Sequence, residues 1–176
     1  MKKLFLLLAG VTIALISSSC EMLEDTFNMN LRKYEPKFTI AIHNYIKYPR
    51  GMEMEKHLTT IDGKKIVINR NHLIDSSMII DAVAVQREDD PHSFDISLKL
   101  NRTALKIWLQ LVYDNHNQQV VLIDDAYYSM FNPDSGHDED TEWVTLRGPF
   151  NEVFANGIEK FAKRNYRELN PSASGF

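Results

Sequence analysis

The sequence predicts an α+β domain in which an antiparallel sheet carries two principal helices on one face. Apolar and polar residues alternate over residues 93–100, which is typical of a strand with one buried face. Apolar residues at helical spacing follow directly, over about residues 101–115. An apolar strand at 119–123, a further strand at 142–147 and a last helix that ends near Arg164 complete the pattern.

The amino-acid composition limits the classes of protein to which this chain can belong. A chain of 176 residues, 44% hydrophobic and 25% charged, can bury the core of one domain. Its formal charge of -4 and the lack of a basic run argue against binding DNA or RNA through phosphate neutralisation. The single cysteine excludes an internal disulfide.

The first twenty residues have the pattern of an export signal. Lys2 and Lys3 precede an apolar run at 4–16, which is shorter than the roughly 20 residues of a transmembrane helix. The run closes with serines and Cys20, and it resembles a bacterial lipoprotein signal, in which cleavage precedes a cysteine that carries lipid. Ser17 departs from that pattern, because an aliphatic residue is usual there. The alternatives are an uncleaved anchor or a plain signal peptide with an incidental cysteine.

These features predict four segments. Residues 1–19 are the lipoprotein signal peptide, 20–35 the lipidated cysteine and tether, 36–165 the α+β domain, and 166–176 a flexible tail. Two or more acyl chains on Cys20 would hold the chain stably on a membrane, whereas one chain is marginal. We therefore expect a location in the cell envelope, anchored to a bacterial membrane on its periplasmic side or at the cell surface.

The first part of the domain is predicted to alternate between strands and loops. Residues 37–43 alternate cleanly and predict a half-buried strand. Residues 44–58 are interrupted by proline and glycine, and they predict a loop with some local helix. A turn at 62–63 leads to a short strand at 64–68.

A short turn and a hairpin are predicted next. Residues 73–78 suggest a turn or a single helical turn, which Asp75 or Ser76 could cap. Residues 79–87 are apolar on both faces, which predicts an inner strand. The charged residues 87–91 then form the hairpin loop to the strand at 93.

Both predicted helices have a capping residue and one apolar face. Asn101 and Asn151 stand where a side-chain oxygen can accept a hydrogen bond from a backbone N–H of the first turn. Phe150 occupies the hydrophobic position just before the second cap. The inward positions are Ala104, Leu105, Trp108, Leu111 and Val112 in the first helix, and Phe154, Ile158, Phe161 and Ala162 in the second.

Four motifs follow one another between about residues 64 and 164. The segment 74–82 leads into a strand, and the strand at 94–100 runs straight into the helix opened by Asn101. The strand at 120–123 ends at two aspartates, and Gly148 opens the entry to the last helix. This order resembles the head of the first periplasmic domain of the SecD and SecDF protein-export subunits.

The resemblance has matches and departures. Gly148 and Phe150 match the family's Gly-x-Phe-Thr/Ser entry to the closing helix, with Asn151 in place of the usual hydroxyl cap. Asp124 matches an aspartate at the end of a hydrophobic strand, and Asp125 stands where glycine is common. The resemblance implies an α+β head fold.

The resemblance also implies a domain that contacts polypeptide emerging from a translocation channel. Export by SecD-like proteins is driven by proton flow through transmembrane helices. The sequence predicts no such helix after Cys20, so we do not expect a proton-driven motor in this chain by itself.

The side chains form no recognisable catalytic or metal-binding pattern. None of the six histidines has the i, i+4 helical spacing of a zinc site. The acidic segment 134–142 lacks the ligand spacing of an EF-hand loop, and a solvated loop tip is favoured over a calcium site. Asp124 and Asp125 are interpreted as a turn, because neighbouring strand residues point to opposite faces. We therefore expect no enzyme, no metal and no cofactor.

An aromatic-rich stretch follows this turn. It would suit a polypeptide or partner if exposed, and half of its residues are expected in the core, without a sign of which half. Trp108 is expected in the core, whereas Trp143 is expected on a half-exposed strand. The candidate binding edge comprises Tyr127, Tyr128, Met130, Phe131 and Trp143.

These expectations support a non-enzymatic protein that is bound to the membrane through lipid on Cys20. Its domain would contact polypeptides or translocon components during protein export or envelope assembly. The alternative is a ligand-binding or inhibitor-type lipoprotein with no export role, which would use the sheet face or the candidate binding edge.

Overall fold

The computed structural model describes residues 34–114, 118–133 and 142–171. These residues form nine strands and two helices. The helices are α1 (Arg102–Asp114), between β6 and β7, and α2 (Glu152–Leu169), after β9. The strands are β1 (Ile40–Asn44), β2 (Glu55–Thr59), β3 (Lys65–Asn69), β4 (Ile74–Asp75), β5 (Ile79–Gln86), β6 (Ser93–Leu100), β7 (Gln119–Ile123), β8 (Ala126–Phe131) and β9 (Trp143–Asn151).

The described strands form three antiparallel sheets. Their orders are β4-β1-β7-β8, β5-β6-β9 and β2-β3. Helix α2 packs against β5 and β6, and α1 packs against β6. The predicted α+β class is confirmed, although the strands divide among three sheets instead of one. Alternation of apolar and polar residues indicates which face of a strand is buried but not which strand it pairs with.

One main core joins both larger sheets and both helices. Ile42 of β1, Leu98 of β6, Trp108 of α1 and Ile158 of α2 all lie in it, and none is more than 2% exposed. The β2–β3 hairpin covers the other face of the four-stranded sheet. A second apolar cluster lies there, formed by Ile66, Ile68, Val120 and Leu122. Strand β7 is therefore buried on both faces, which explains the apolar run of its last four residues, 120–123.

The prediction of a loop over residues 44–58 is wrong for its last residues, because strand β2 begins at Glu55. The sequence of β2 has one apolar residue, Leu58, so its strand pattern is weak. The strand pairs along its whole length with β3. The Glu55 carboxylate also accepts hydrogen bonds from Arg50 N (2.7 Å) and Gly51 N (2.9 Å), which hold the preceding loop against it.

The predicted inner position of the strand at 79–87 is also wrong. Strand β5 lies at an end of the three-stranded sheet and pairs with β6. Helix α2 packs against it, and the Glu159 carboxylate accepts a hydrogen bond from Ala84 N at 2.9 Å. Val83 and Val85 are 41% and 47% exposed. The apolar character of this strand therefore reflects the helix on one face and not a second strand neighbour.

Both predicted helix caps are confirmed. The side chain of Asn101 accepts a hydrogen bond from Ala104 N at 2.8 Å, and that of Asn151 accepts one from Phe154 N at 2.9 Å. Trp108 is buried as predicted, whereas Leu111 lies at the half-buried margin of α1. Residue 115, the last of the predicted first helix, lies outside the described residues.

Helix α2 is longer than its predicted end near Arg164. It continues to Leu169, and the Asn170 side-chain nitrogen donates to Tyr166 O (2.9 Å) and Ser77 O (2.7 Å). Residues 166–170 therefore belong to the domain and not to a flexible tail. The predicted turn at 73–78 contains the short strand β4, and Asp75 accepts a hydrogen bond from Ser77 N within the turn.

Candidate functional site

The candidate binding edge is built on a tight hairpin between β7 and β8. Ile123 pairs with Ala126, and the two residues between them, Asp124 and Asp125, have φ angles of 48° and 63°. Positive φ at both central positions is the geometry of the two-residue turn whose twist suits antiparallel strands. The turn predicted from the sequence is confirmed.

Asp124 fastens this hairpin to the beginning of the domain. Its carboxylate accepts hydrogen bonds from Thr39 N (2.8 Å), Thr39 Oγ1 (3.0 Å) and Phe38 N (3.1 Å). Asp124 N in turn donates to Thr39 O at 3.0 Å. Both the side chain and the backbone N–H of Asp124 thus form hydrogen bonds with Thr39. These bonds hold the turn that leads into β8 against the residue that precedes β1.

Strand β8 lies at one end of the four-stranded sheet. Among the described residues, β7 is the strand that pairs with it. A strand at a sheet end presents backbone N–H and C=O groups on its outer side, where an extended polypeptide can add as a further strand. The geometry of β8 therefore suits recognition through the main chain.

A bulge distributes the aromatic residues of β8 between the two apolar clusters. Leu122 pairs with Tyr127 and Val121 with Ser129, so Tyr128 is the additional residue in the ladder. Tyr128 and Phe131 pack against the main core, whereas Tyr127 and Met130 pack against the second cluster. The sequence predicted that half of these residues are core. All four are half-buried, so each has a packed part and an accessible part.

Tyr128 connects the edge to the end of β9. Its ring stacks on Phe150 at a centroid distance of 4.8 Å, with Phe154 at 5.1 Å in an edge arrangement. Its hydroxyl accepts a hydrogen bond from Asn151 N (3.0 Å) and donates one to Pro149 O (3.2 Å). Burial raises the pKa of the Tyr128 hydroxyl, an effect that the Asn151 N–H opposes.

The other aromatic positions of β8 are also anchored. The ring of Phe131 stacks on buried Trp108 at a centroid distance of 5.9 Å. Burial raises the pKa of the Tyr127 hydroxyl, and the charge of Asp62 acts in the same direction. The edge therefore offers neutral, partly apolar side chains beside a backbone that can form hydrogen bonds.

Trp143 occupies a different place from the other four residues. It begins β9 in the three-stranded sheet, where it is half-buried and lies opposite Lys99. Pro149 and Asn151, which bond to Tyr128, lie toward the other end of the same strand. The structure thus brings four of the candidate residues together on β8 and places the fifth on another sheet.

Among the residues that the structure describes, the other positions singled out in the sequence form no second site. Cys20 and the acidic residues 134–141 lie outside the described residues. His43 is 4% exposed, its Nδ1 lies 2.8 Å from Asn69 O, and burial lowers its pKa. Within the described ranges, no group of three or more His, Cys, Asp or Glu side chains could hold a metal ion. No helix there is long and apolar enough to cross a membrane.

Sequence reasoning missed how the domain begins. Phe38 has a φ angle of 52°, a conformation that a bulky residue rarely adopts. No pattern in the sequence indicates this conformation. The role of Asp124 had a weak signal, since aspartate in a two-residue turn often bonds to nearby backbone N–H groups. Thr39 was not predictable as the hydrogen-bond partner of Asp124, because the two residues are far apart in the sequence.

No family model and no curated protein matches this chain. Among solved structures, it is similar to the membrane component SecDF that enhances protein export, with 14% identity and a TM-score of 0.48. That match covers 73% of this chain and 63% of the other. A structure of SecDF in a super-membrane-facing form is similar with 14% identity and a TM-score of 0.47, over 71% of this chain and 18% of the other.

Both are structures of SecDF, the family that the sequence resembles. The chain spans less than two thirds of either structure's length. Neither match assigns an activity, ligand or partner to this chain.

Proposed function

We propose that this chain is a non-enzymatic, lipid-anchored protein of the bacterial cell envelope whose domain binds extended polypeptide along β8. The polypeptide would be a secreted chain or a translocon component, encountered during protein export or envelope assembly. The observation that carries the proposal is the position of β8 at a sheet end, with half-buried aromatic residues along it.

The chemistry of β8 suits a polypeptide of variable sequence. Strand addition uses main-chain hydrogen bonds, which every polypeptide other than a run of prolines can supply. The accessible parts of Tyr127 and Met130 can contact alternate side chains of the added strand, because they lie on one face of β8. Aromatic and methionine side chains are favoured at protein interfaces.

The anchor is supported by the N-terminal sequence. A charged start, an apolar run and small residues before Cys20 are the parts of a lipoprotein signal. Lipid on Cys20 would confine the domain to a membrane surface, where exported chains emerge. A ligand-binding or inhibitor-type role is the alternative outcome of the experiment below.

The test is a pull-down from cross-linked envelopes that compares four forms of the full chain. The parent is compared with Cys20→Ala, which removes the lipid site, and with Tyr127→Lys, which places a charge beside the strand edge. The matched control is Tyr113→Lys, since Tyr113 is 89% exposed on α1 and outside β8. Circular dichroism of each purified form checks that the fold is retained.

We expect translocon subunits or nascent secreted chains with the parent and with Tyr113→Lys. Tyr127→Lys should lose them while staying folded, and Cys20→Ala should lose them because the domain no longer resides at the membrane. Equal recovery with Tyr127→Lys would contradict a role for β8. Recovery of a small ligand or of one surface protein alone would support the alternative function.

A further inference from the structure

A stripe of positive charge runs along the outer side of α2. Lys160, Lys163, Arg164 and Arg167 follow the i, i+3, i+4, i+7 spacing that places side chains on one helix face, and all four are exposed. We call these four residues the basic stripe. The opposite face of α2, which carries Ala155, Ile158, Ala162 and Asn165, is buried. The stripe therefore points directly away from the core.

The basic stripe contrasts with the charge of the whole chain, which is formally -4. Glu159 and Glu168 flank it, and Glu159 already accepts the hydrogen bond from Ala84 N. Lys163 Nζ lies 3.1 Å from the carboxylate of Asp81, yet its side chain is 70% exposed. The Asp81 side chain is only 21% exposed, whereas the exposed lysine side chain remains accessible to further anions.

Beside the stripe is a shallow depression that extends the cationic surface. It has a volume of about 510 Å³. Its lining combines three positive side chains and one aromatic side chain with an isoleucine and an aspartate: Lys99, Lys163, Arg167, Tyr166, Ile80 and Asp81. Lys99 pairs with Glu142 at 3.1 Å and is 34% exposed. Cations around an amphipathic aromatic residue are the composition expected where a protein rests on an anionic lipid surface.

The chain enters the domain on a flank of the same helix. Asn165 of α2 is buried, and its side-chain nitrogen donates a hydrogen bond to Lys37 O at 2.8 Å. The ring of the next residue, Phe38, stacks on Phe161 at a centroid distance of 5.8 Å. Any tether that leads to Cys20 therefore leaves the domain beside α2.

We propose that the basic stripe of α2 lies on the anionic lipid surface to which the chain is tethered. This inference rests on the proposed lipid anchor at Cys20. Sixteen residues separate Cys20 from Lys37 in the sequence. Lipid on Cys20 would therefore be joined to the domain through a short stretch of sequence, which meets α2 at Lys37.

Helix stability alone does not account for the stripe. Cations stabilise the C-terminal end of a helix, but the effect falls off within the last turn. Arg167 lies in that turn, whereas Lys160 lies more than two turns before the end of α2 at Leu169. Attraction to an anionic surface is expected from all four side chains, at about 1 kcal/mol for each Lys or Arg, or about fivefold in partitioning.

The test measures vesicle binding without the lipid, so that it does not depend on whether Cys20 is modified in cells. The chain from position 20 onward, with Cys20→Ser, is sedimented with neutral phosphatidylcholine vesicles. It is also sedimented with vesicles that contain anionic phosphatidylglycerol. The stripe variant carries Lys160→Gln, Lys163→Gln, Arg164→Gln and Arg167→Gln. A smaller variant, Lys160→Gln with Arg167→Gln, retains the Lys163–Asp81 pair if the fourfold change affects folding.

The matched control removes the same charge from exposed positions elsewhere. It carries Lys47→Gln, Arg50→Gln, Lys64→Gln and Arg70→Gln, again two lysines and two arginines. We expect binding to anionic but not neutral vesicles, weakened by salt. The stripe variant should bind at least about tenfold more weakly, and the control should stay within about twofold of the parent.

Equal losses in the stripe variant and the control would overturn the proposal, as would a parent that does not bind anionic vesicles. Mass measurement of the N-terminal peptide from cells tests the lipid on Cys20 separately. If the chain from cells carries no lipid but the basic stripe still binds anionic vesicles, the proposed anchor is contradicted. The assignment of the basic stripe as a lipid-binding surface would then still hold. A lipidated chain whose stripe does not bind would contradict this inference alone.

Discussion

Gly157 lies against the ring of Phe38 so closely that a methyl group at position 157 would overlap the Cγ, Cδ1 and Cε1 atoms of that ring. Phe38 also meets Phe154 edge-on at 6.1 Å, in addition to its stack on Phe161. A glycine within the buried face of α2 thus makes the space in which the start of the domain is held.

The first prediction concerns this contact. Gly157→Ala should destabilise the domain by about 1–3 kcal/mol, because the ring of Phe38 must move out of a packed position. Alanine has a higher helix propensity than glycine by about 1 kcal/mol, which alone would stabilise the domain. The sign of the measured change therefore shows whether the clash with Phe38 or the helix propensity has the larger effect. Asn156→Ala, at the neighbouring exposed position, should be neutral or slightly stabilising. Urea unfolding of the two variants measures both values.

The two aspartates of the β7–β8 turn should respond in opposite directions. Asp124→Ala removes the acceptor of three hydrogen bonds and should cost about 1–3 kcal/mol. Asp125→Gly should stabilise the domain by about 0.5 kcal/mol, because its φ of 63° suits glycine. The Asp125 side chain is 90% exposed and its ion pair with Lys56 is long, at 3.9 Å. Thermal unfolding that ranks the two variants the other way round would contradict this account of the turn.

The hydroxyl of Tyr128 should contribute more to the free energy of unfolding than the hydroxyl of an exposed tyrosine. Tyr128→Phe leaves Asn151 N and Pro149 O without their partner, at a cost of about 1–2 kcal/mol. Tyr113→Phe should leave the free energy of unfolding unchanged, since Tyr113 is 89% exposed. Equal stability of the two variants in denaturant titrations would show that the Tyr128 hydroxyl bonds contribute nothing.

His43 should make the domain sensitive to mild acid. Burial lowers its pKa below the ordinary value of 6.5, so the folded state binds fewer protons than the unfolded state below that pH. Its contribution to stability is therefore present above pH 6.5 and is lost as the pH falls through the lowered pKa. His43→Gln should flatten this acid-side decline, whereas His57→Gln, at an exposed position, should not. Melting temperatures measured at a series of pH values test the difference.

Local features of the fold were predictable from the sequence. Asn101 and Asn151 cap their helices as expected, because a cap depends on residues within one turn of it. The turn at Asp124 and Asp125 was also predictable, because its residues and its geometry are adjacent in sequence. Trp108 was assigned to the core from helical spacing alone.

Relations between distant segments were not predictable in the same way. The apolar sequence of β5 suggested two strand neighbours, but helix α2 supplies part of its cover. The aromatic residues of β8 could not be assigned to a face, because the bulge at Tyr128 changes the alternation. Trp143 looked like part of the same edge, and only the strand pairing places it on another sheet.

The most direct test of the central claim is amide hydrogen exchange in β8, measured with and without an unfolded secreted polypeptide. Binding along the edge predicts slower exchange over residues 126–131, with the β2–β3 hairpin unchanged and with the effect reduced in Tyr127→Lys. Unchanged exchange in β8, or protection confined to another surface, would contradict the proposal that this strand binds polypeptide.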